Sequence, residues 1–187
     1  PLVKEGMIDN SSIIIDAKSG ATGAGRGLSL GNHYCELNES VKAYKIASHR
    51  HTPEIEEQLS YAAGEDIVIN FTPHLIPMDR GILATCYANL KADYSYDDIK
   101  AVYEKYYGNE HFIRLTKEGT FPETKWVKGS NFVDIGFTVD KRTKRVIVVG
   151  AIDNLFKGAA GQAVQNMNIL FGLDEKTGVD YVPVFPA

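Results

Sequence analysis

The sequence predicts an α+β fold, a largely antiparallel sheet with helices on one face. Three observations predict it. Apolar, β-rich segments outnumber helical ones and often follow one another with no helix between them. A polar stretch at 140–144 separates two such segments by a distance that suits a hairpin. The helical segments carry their own start and stop residues.

In chain order, Ser12-Ile13-Ile14-Ile15-Asp16-Ala17 reads as a buried strand that runs into a glycine-rich loop, residues 19–27. Residues 38–46 are short and mixed. A helix over 53–63 opens on Pro53 and ends at Gly64, which suits the C′ position. Residues 67–71 read as a strand, and 81–90 as another. Ser95-Tyr96-Asp97-Asp98 opens a helix that reaches Tyr107 and stops at Gly108-Asn109, with Ile99, Val102, Tyr103 and Tyr106 on one face. Segments 112–115, 131–139 and 145–151 read as strands. A last helix covers 159–171 and ends at Gly172, and Asp153-Asn154 before it could cap or bind. The tail 181–186 carries two prolines and cannot be helical throughout.

Composition narrows the function. Hydrophobic content of 44% and charged content of 24% are ordinary for a soluble globular protein. A net charge of −4, with Lys and Arg scattered, points away from nucleic acid and anionic membranes. No apolar run is long enough for a membrane span. The opening Pro1-Leu2-Val3-Lys4-Glu5-Gly6 reads as neither a signal peptide nor a natural start, so a fragment or processed chain is expected. Two cysteines, Cys35 and Cys86, make neither a disulfide framework nor a zinc site, and a reducing, cytoplasmic compartment follows as the default.

His49-Arg50-His51-Thr52-Pro53-Glu54 concentrates the chemistry. Two imidazoles, a guanidinium and a carboxylate fall at the mouth of a helix, in a segment read as extended. At neutral pH such a group can exchange protons and hold an anion; a polar loop with capping residues is the alternative. The glycines at 20, 23, 25 and 27 lack the dinucleotide-fingerprint spacing. They read either as a loop needing positive φ or as backbone that approaches a flat or anionic ligand, with Arg26 beside it. Cys86, inside an apolar strand, reads as a buried structural thiol, and Cys35 is also read as structural. The histidines lack companions at metal-ligand spacing, so no metal is expected. The small and carboxamide residues of 158–168 suit a helix that packs closely against another backbone or a cofactor.

Several pieces, in order, carry a family resemblance. They are Asp16-Ala17-Lys18-Ser19-Gly20 with Gly23-Ala24-Gly25-Arg26, Asn38-Glu39-Ser40, His49-Arg50-His51-Thr52-Pro53-Glu54-Ile55, Pro77-Met78-Asp79-Arg80-Gly81, and Asp153-Asn154-Leu155 with residues 158–168. Together they resemble N-acetyl-gamma-glutamyl-phosphate reductase, and the related aspartate-semialdehyde dehydrogenases share parts of the loop. The resemblance implies a glyceraldehyde-3-phosphate dehydrogenase-like C-terminal domain, with 1–152 as a catalytic and dimerisation domain. Residues 1–10 would be the remnant after a missing nucleophile. Residues 153–187 would be a C-terminal helix and tail that return to an NADP-binding domain.

In such a family the nucleophile is a Cys in a Gly-Cys-Tyr-Pro motif, which with the NADP-binding domain lies ahead of the point matching Pro1. Cys86-Tyr87 echoes the motif, but Ala88 stands where the Pro would be, and no nucleophile is carried onto this chain. The resemblance implies that His51, then His49, manages the thiol proton. Glu54 would orient an imidazole or meet the substrate amide. Arg50, Arg26 and Tyr44 would bind substrate, and Ser19, Gly20, Asn154 and Gln162 would lie near the nicotinamide of NADP. It further implies an acyl-phosphate substrate, arginine biosynthesis, and a homodimer or homotetramer. The alternatives are an aspartate-semialdehyde dehydrogenase-type domain and a dimerisation module inactive on its own.

Overall fold

The computed structural model describes residues 1–184. Its centre is a seven-stranded sheet in the order β2-β3-β1-β4-β7-β6-β5. The strands are β1 (Ile14–Ser19), β2 (Lys42–Ala43), β3 (Asn70–Leu75), β4 (Ile82–Asn89), β5 (Ile113–Leu115), β6 (Val133–Asp140) and β7 (Arg145–Ile152). Neighbours pair antiparallel except β1 with β3 and β5 with β6. The sheet is therefore mixed but largely antiparallel, and the β6–β7 hairpin turns at 141–144 as its polar residues require.

The helices are α1 (Tyr34–Leu37), α2 (Thr52–Ala63), α3 (Tyr96–Tyr107) and α4 (Gly161–Leu170). α2 and α3 pack on one face of the sheet. Ile99 and Tyr103 of α3 are buried with Phe137, Val146 and Ala88, and Ile55 and Leu59 of α2 pack against the same cluster. The Tyr103 and Tyr96 rings stack on Phe137 at 4.8 and 5.1 Å. Ile8 joins the same core through a bridge to Leu90. Strand alternation sends Asp16, Lys18, Thr72, His74, Thr85 and Tyr87 to the opposite face. No helix packs there among the described residues. Segment 116–126 covers one end of that face: a Cβ on Gly136 would lie 2.6 Å from Thr116 Oγ1, Trp126 O accepts from Arg114, and Asp134 and Ala151 there are buried. No helix among the described residues is long and apolar enough to cross a membrane.

Local signals place α2 and α3 as read. Gly64 closes α2 at φ 74°, and its N–H bonds Ser60 O. Ser95 and Asp98 form a reciprocal capping box on α3. Two readings shift. The apolar run 67–71 is not a strand throughout, since β3 begins at Asn70. Ile67 and Ile69 are buried in the link after α2, where Ser60 Oγ and Glu56 Oε1 accept their N–H groups in place of a ladder. β3 continues through Pro73, whose carbonyl accepts the Tyr44 N–H on the side of the short edge strand β2, where little ladder is interrupted. The final helix is entered through a π-helical turn, Phe156–Ala160, rather than starting at 159. The mixed stretch 38–46 holds β2, and α1, which the sequence reading did not mark, lies just before it. Of the tail, 185–187 lie outside the described residues.

Candidate active site

The His-Arg-His segment follows β2 and leads into α2. It is a turn rather than the extended segment expected, with positive φ at Lys45 and Ala47 and αR geometry at His51. His49 turns inward and is only 9% exposed. Its ring meets Tyr44, His51 and Phe71 edge-on, with centroids 5.6, 5.0 and 5.2 Å away. The backbone N–H of His51 donates to His49 Nδ1 at 3.2 Å, which leaves the proton of the neutral ring on Nε2. Burial, then the nearby charges of His51, Lys45 and Arg50, lower the His49 pKa from the ordinary imidazole value.

His51, Arg50 and Glu54 are exposed. Loop 46–53 and residues 68–72 enclose an open cleft of about 520 Å³, with His49, Arg50, Glu56, Asn70 and Thr72 in its lining. Tyr44 is partly buried, and burial raises its pKa despite the charge of Arg50. The cleft thus joins an anchored imidazole, His49, and the Arg50 guanidinium; the exposed His51 ring packs edge-on against His49 without lining the cleft itself. Glu54 makes no hydrogen bond to either imidazole, so the orienting role read for it is not seen; His51's own backbone anchors His49 instead.

A second cluster gathers where β1 ends. Gly20 packs against loop 76–81: its N–H bonds Gly81 O at 2.9 Å, and a Cβ there would lie 2.7 Å from Asp79 O. Only glycine fits. Asn154, nearly buried, accepts the Gly81 N–H on Oδ1 at 2.8 Å and donates from Nδ2 to Thr22 Oγ1 at 2.9 Å. A Cβ on Gly23 would lie 3.5 Å from Asn154 Nδ2 and 3.6 Å from Ser19 Oγ, so those two side chains converge on one glycine backbone. Ser19, Gly20 and Asn154 are thus brought together. Gln162 is not part of that group: it faces along α4 and donates to Asn166 Oδ1. The buried amide of that helix is Gln165, which bonds Asn131, Lys157 and Glu175. Arg26 is exposed beyond Gly25, whose φ of 77° is the left-handed geometry the loop reading allowed.

The two clusters occupy different levels of the sheet. His49 packs on Phe71, in register with Ile15, whereas Ser19 is in register with Leu75. Four residues separate these levels, roughly 13 Å at about 3.3 Å per residue.

Sequence reading missed the anchor of the second cluster. Asp153 is fully buried. It accepts from the Arg80 fork, Nε to Oδ1 at 3.2 Å and Nη2 to Oδ2 at 2.8 Å, and from the backbone N–H groups of Gly129, Leu155 and Phe156. The last two are the capping role read for it. Burial works to raise its pKa, but Arg80 and the three N–H donors outweigh that and hold it below the ordinary carboxylate value. The available signal was a lone Arg80 and a lone Asp153, seventy-three residues apart, which no local pattern connects.

The two cysteines differ in burial. Cys86, in β4, is a core-facing thiol that burial pushes up to about 11. Cys35, read as structural, is exposed on α1, since that short helix lies on the surface. Among the described residues, no group of three or more His, Cys, Asp or Glu could hold a metal ion.

Comparison with known proteins extends the picture. A family model described as "Semialdehyde dehydrogenase, dimerisation domain" matches residues 1–154. A curated protein from Lachnospira eligens, named N-acetyl-gamma-glutamyl-phosphate reductase, is 62% identical over 187 residues, all of this chain and 54% of that protein. One of the same name from Campylobacter jejuni is 63% identical over 181 residues, 97% of this chain and 53% of its own length. The chain therefore spans about half the length of the curated relatives it matches. Among solved structures, a probable aspartate-semialdehyde dehydrogenase from Pseudomonas aeruginosa superposes with a TM-score of 0.71 at 18% identity, covering 91% of this chain and 57% of that one. Aspartate semialdehyde dehydrogenase II from Vibrio cholerae gives a TM-score of 0.68 at 16% identity, covering 91% and 59%. At such identities these two establish the fold alone.

Proposed function

Because the chain belongs to the semialdehyde dehydrogenase dimerisation-domain family, we propose that it is the C-terminal part of an NADP-dependent reductase. That enzyme would convert N-acetyl-glutamyl 5-phosphate to N-acetyl-glutamate 5-semialdehyde and phosphate, in the cytoplasm, for arginine biosynthesis. The observation that carries this reading is the unbroken match to proteins named N-acetyl-gamma-glutamyl-phosphate reductase, 62% identical along the whole chain.

The chemistry assigns work to the residues at hand. A thiolate attacks the acyl carbon and expels phosphate, and the resulting thioester is then reduced. The buried Cys86, its pKa raised by desolvation, does not supply that thiolate, and we assign it to the part of the full-length relatives that this chain does not match. His51, exposed beside His49, takes the thiol proton and returns a proton when the tetrahedral centre collapses. His49 stays neutral and buttresses it through the His51 N–H. Arg50, with Tyr44 beside it, holds the substrate's anionic end, and Glu54, free of the imidazoles, is left to meet the substrate amide. Arg26 on the open loop is a second anion contact.

NADPH, when bound, would supply the hydride. The residues at the end of β1 would hold its nicotinamide: Gly23 presents bare backbone, Ser19 Oγ and the Asn154 carboxamide converge on it, and the buried Gly20 lets loop 76–81 pack beneath them. For the subunit partner, we assign self-association to the helix-free face of the sheet, carrying Lys18, His74, Thr85 and Tyr87.

Replacing His51 by Asn in the full-length protein tests the catalytic assignment. The expected loss is at least about tenfold in kcat, below the usual range for general acid–base groups. Undiminished turnover would remove His51 from the mechanism.

A further inference from the structure

We infer that Arg80 and Asp153 are positioning residues for the nicotinamide end of the dinucleotide, an inference that rests on the reductase reading above. The argument begins with a cost. A carboxylate with no solvent exposure is costly to bury, and an apolar pair of similar volume would often stabilise the fold as well. What the pair supplies is geometry. Asp153 receives both bonds of the Arg80 fork and ties loop 76–81 to Gly129 and to the entry of the last helix. The Arg80 guanidinium also lies over the Phe156 ring, 5.6 Å from its centroid.

Residues 79–81 are thereby clamped between two segments. On one side Asn154, the next residue after Asp153, accepts the Gly81 N–H. On the other, Gly20 and Thr22 bond Gly81 O and Asp79 O through their backbone N–H groups. Thr22 Oγ1 closes the circuit, accepting from Asn154 and donating to Asp79 O. The Asn154 carboxamide and Gly23, at the end of the turn that Gly20 and Thr22 fasten to this loop, are therefore seated on the Arg80–Asp153 pair. Loosening the pair displaces both cofactor contacts together and leaves the His49–His51 cleft, at another level of the sheet, untouched.

The test is direct NADPH binding, by fluorescence titration without the acyl phosphate, together with steady-state kinetics of the full-length protein carrying Arg80→Lys, which keeps the charge but cannot form the fork. The expected result is a rise of about tenfold to a hundredfold in both Kd and KM for NADPH, the scale that a misplacement of about an ångström brings. KM for the acyl phosphate should stay near wild type. Ile99→Val, a core variant, controls for general destabilisation. Thr22→Val, which removes only the hydroxyl link at a partly exposed site, should reproduce the NADPH-selective effect even if Arg80→Lys fails to fold. Equal rises in both KM values, a matching rise in the Ile99 control, or an unchanged Thr22→Val enzyme would each overturn the inference. A wild-type protein without NADPH-dependent reduction would sink the reductase reading and this inference with it. A working wild type with unselective variants would sink this inference alone.

Discussion

His49 and His51 differ by two positions and by almost everything else. One is sealed against Tyr44 and Phe71 with its Nδ1 occupied; the other is open to solvent. Sequence placed both in one proton-exchanging group and could not divide the labour, because the division depends on which ring meets Phe71, more than twenty residues on. The burial has a measurable consequence. His49 has its folded pKa below its unfolded 6.5, so the unfolded chain binds more protons between those two values. Its contribution to stability is present above pH 6.5 and is lost as pH falls through that value toward the lowered one. Melting temperature followed from pH 8 to pH 5 should fall more steeply for wild type than for His49→Asn. Parallel curves would contradict the buried, neutral imidazole. Gly20 offers the converse lesson: its loop was legible as glycine-rich, but the backbone of Asp79 against which it packs was not.

At the level of elements, legibility tracked how local the signal was. Pro53 and Gly64 bracket α2, and Ser95 with Asp98 opens α3; each is a short-range pattern whose physics is complete within one turn. β2 has two residues and exists only because β3 lies beside it, and β3 itself passes through a proline. The run at 67–71 misled because burial of Ile67 and Ile69 is satisfied by side-chain acceptors on α2 rather than by a ladder. The capping box makes a direct prediction. Ser95→Ala removes the acceptor for the Asp98 N–H and the partner of its carboxylate, and should cost ~1 kcal/mol. For a chain of this size that is a fall of about 2–4 °C in Tm. A melt unchanged within error would show that the box contributes nothing to α3.

For the molecule as a whole, the division of the sheet into a helix-covered face and an open face matters most. Alternation along β1 and β4 sends apolar residues to the helices and a mixed set, including Ile14, Lys18, Thr85 and Tyr87, to the open side. Family membership as a dimerisation domain supports the self-association proposed above for that side. Sedimentation of the full-length protein should show a dimer or larger, and Tyr87→Asp, which sets a charge at the centre of the face, should shift it toward monomer with its far-UV dichroism intact. A monomeric wild type would contradict the assignment.

The two clusters described above would then be the part of the active site that this chain contributes: a proton-handling cleft at one level of the sheet and a clamped glycine–carboxamide seat at another. The most direct test follows NADPH oxidation and phosphate release side by side in the full-length protein, given N-acetyl-glutamyl phosphate or aspartyl phosphate. One phosphate released per NADPH oxidised, with N-acetyl-glutamyl phosphate strongly preferred, is the predicted result. Preference for aspartyl phosphate, or phosphate release uncoupled from NADPH oxidation, would contradict it.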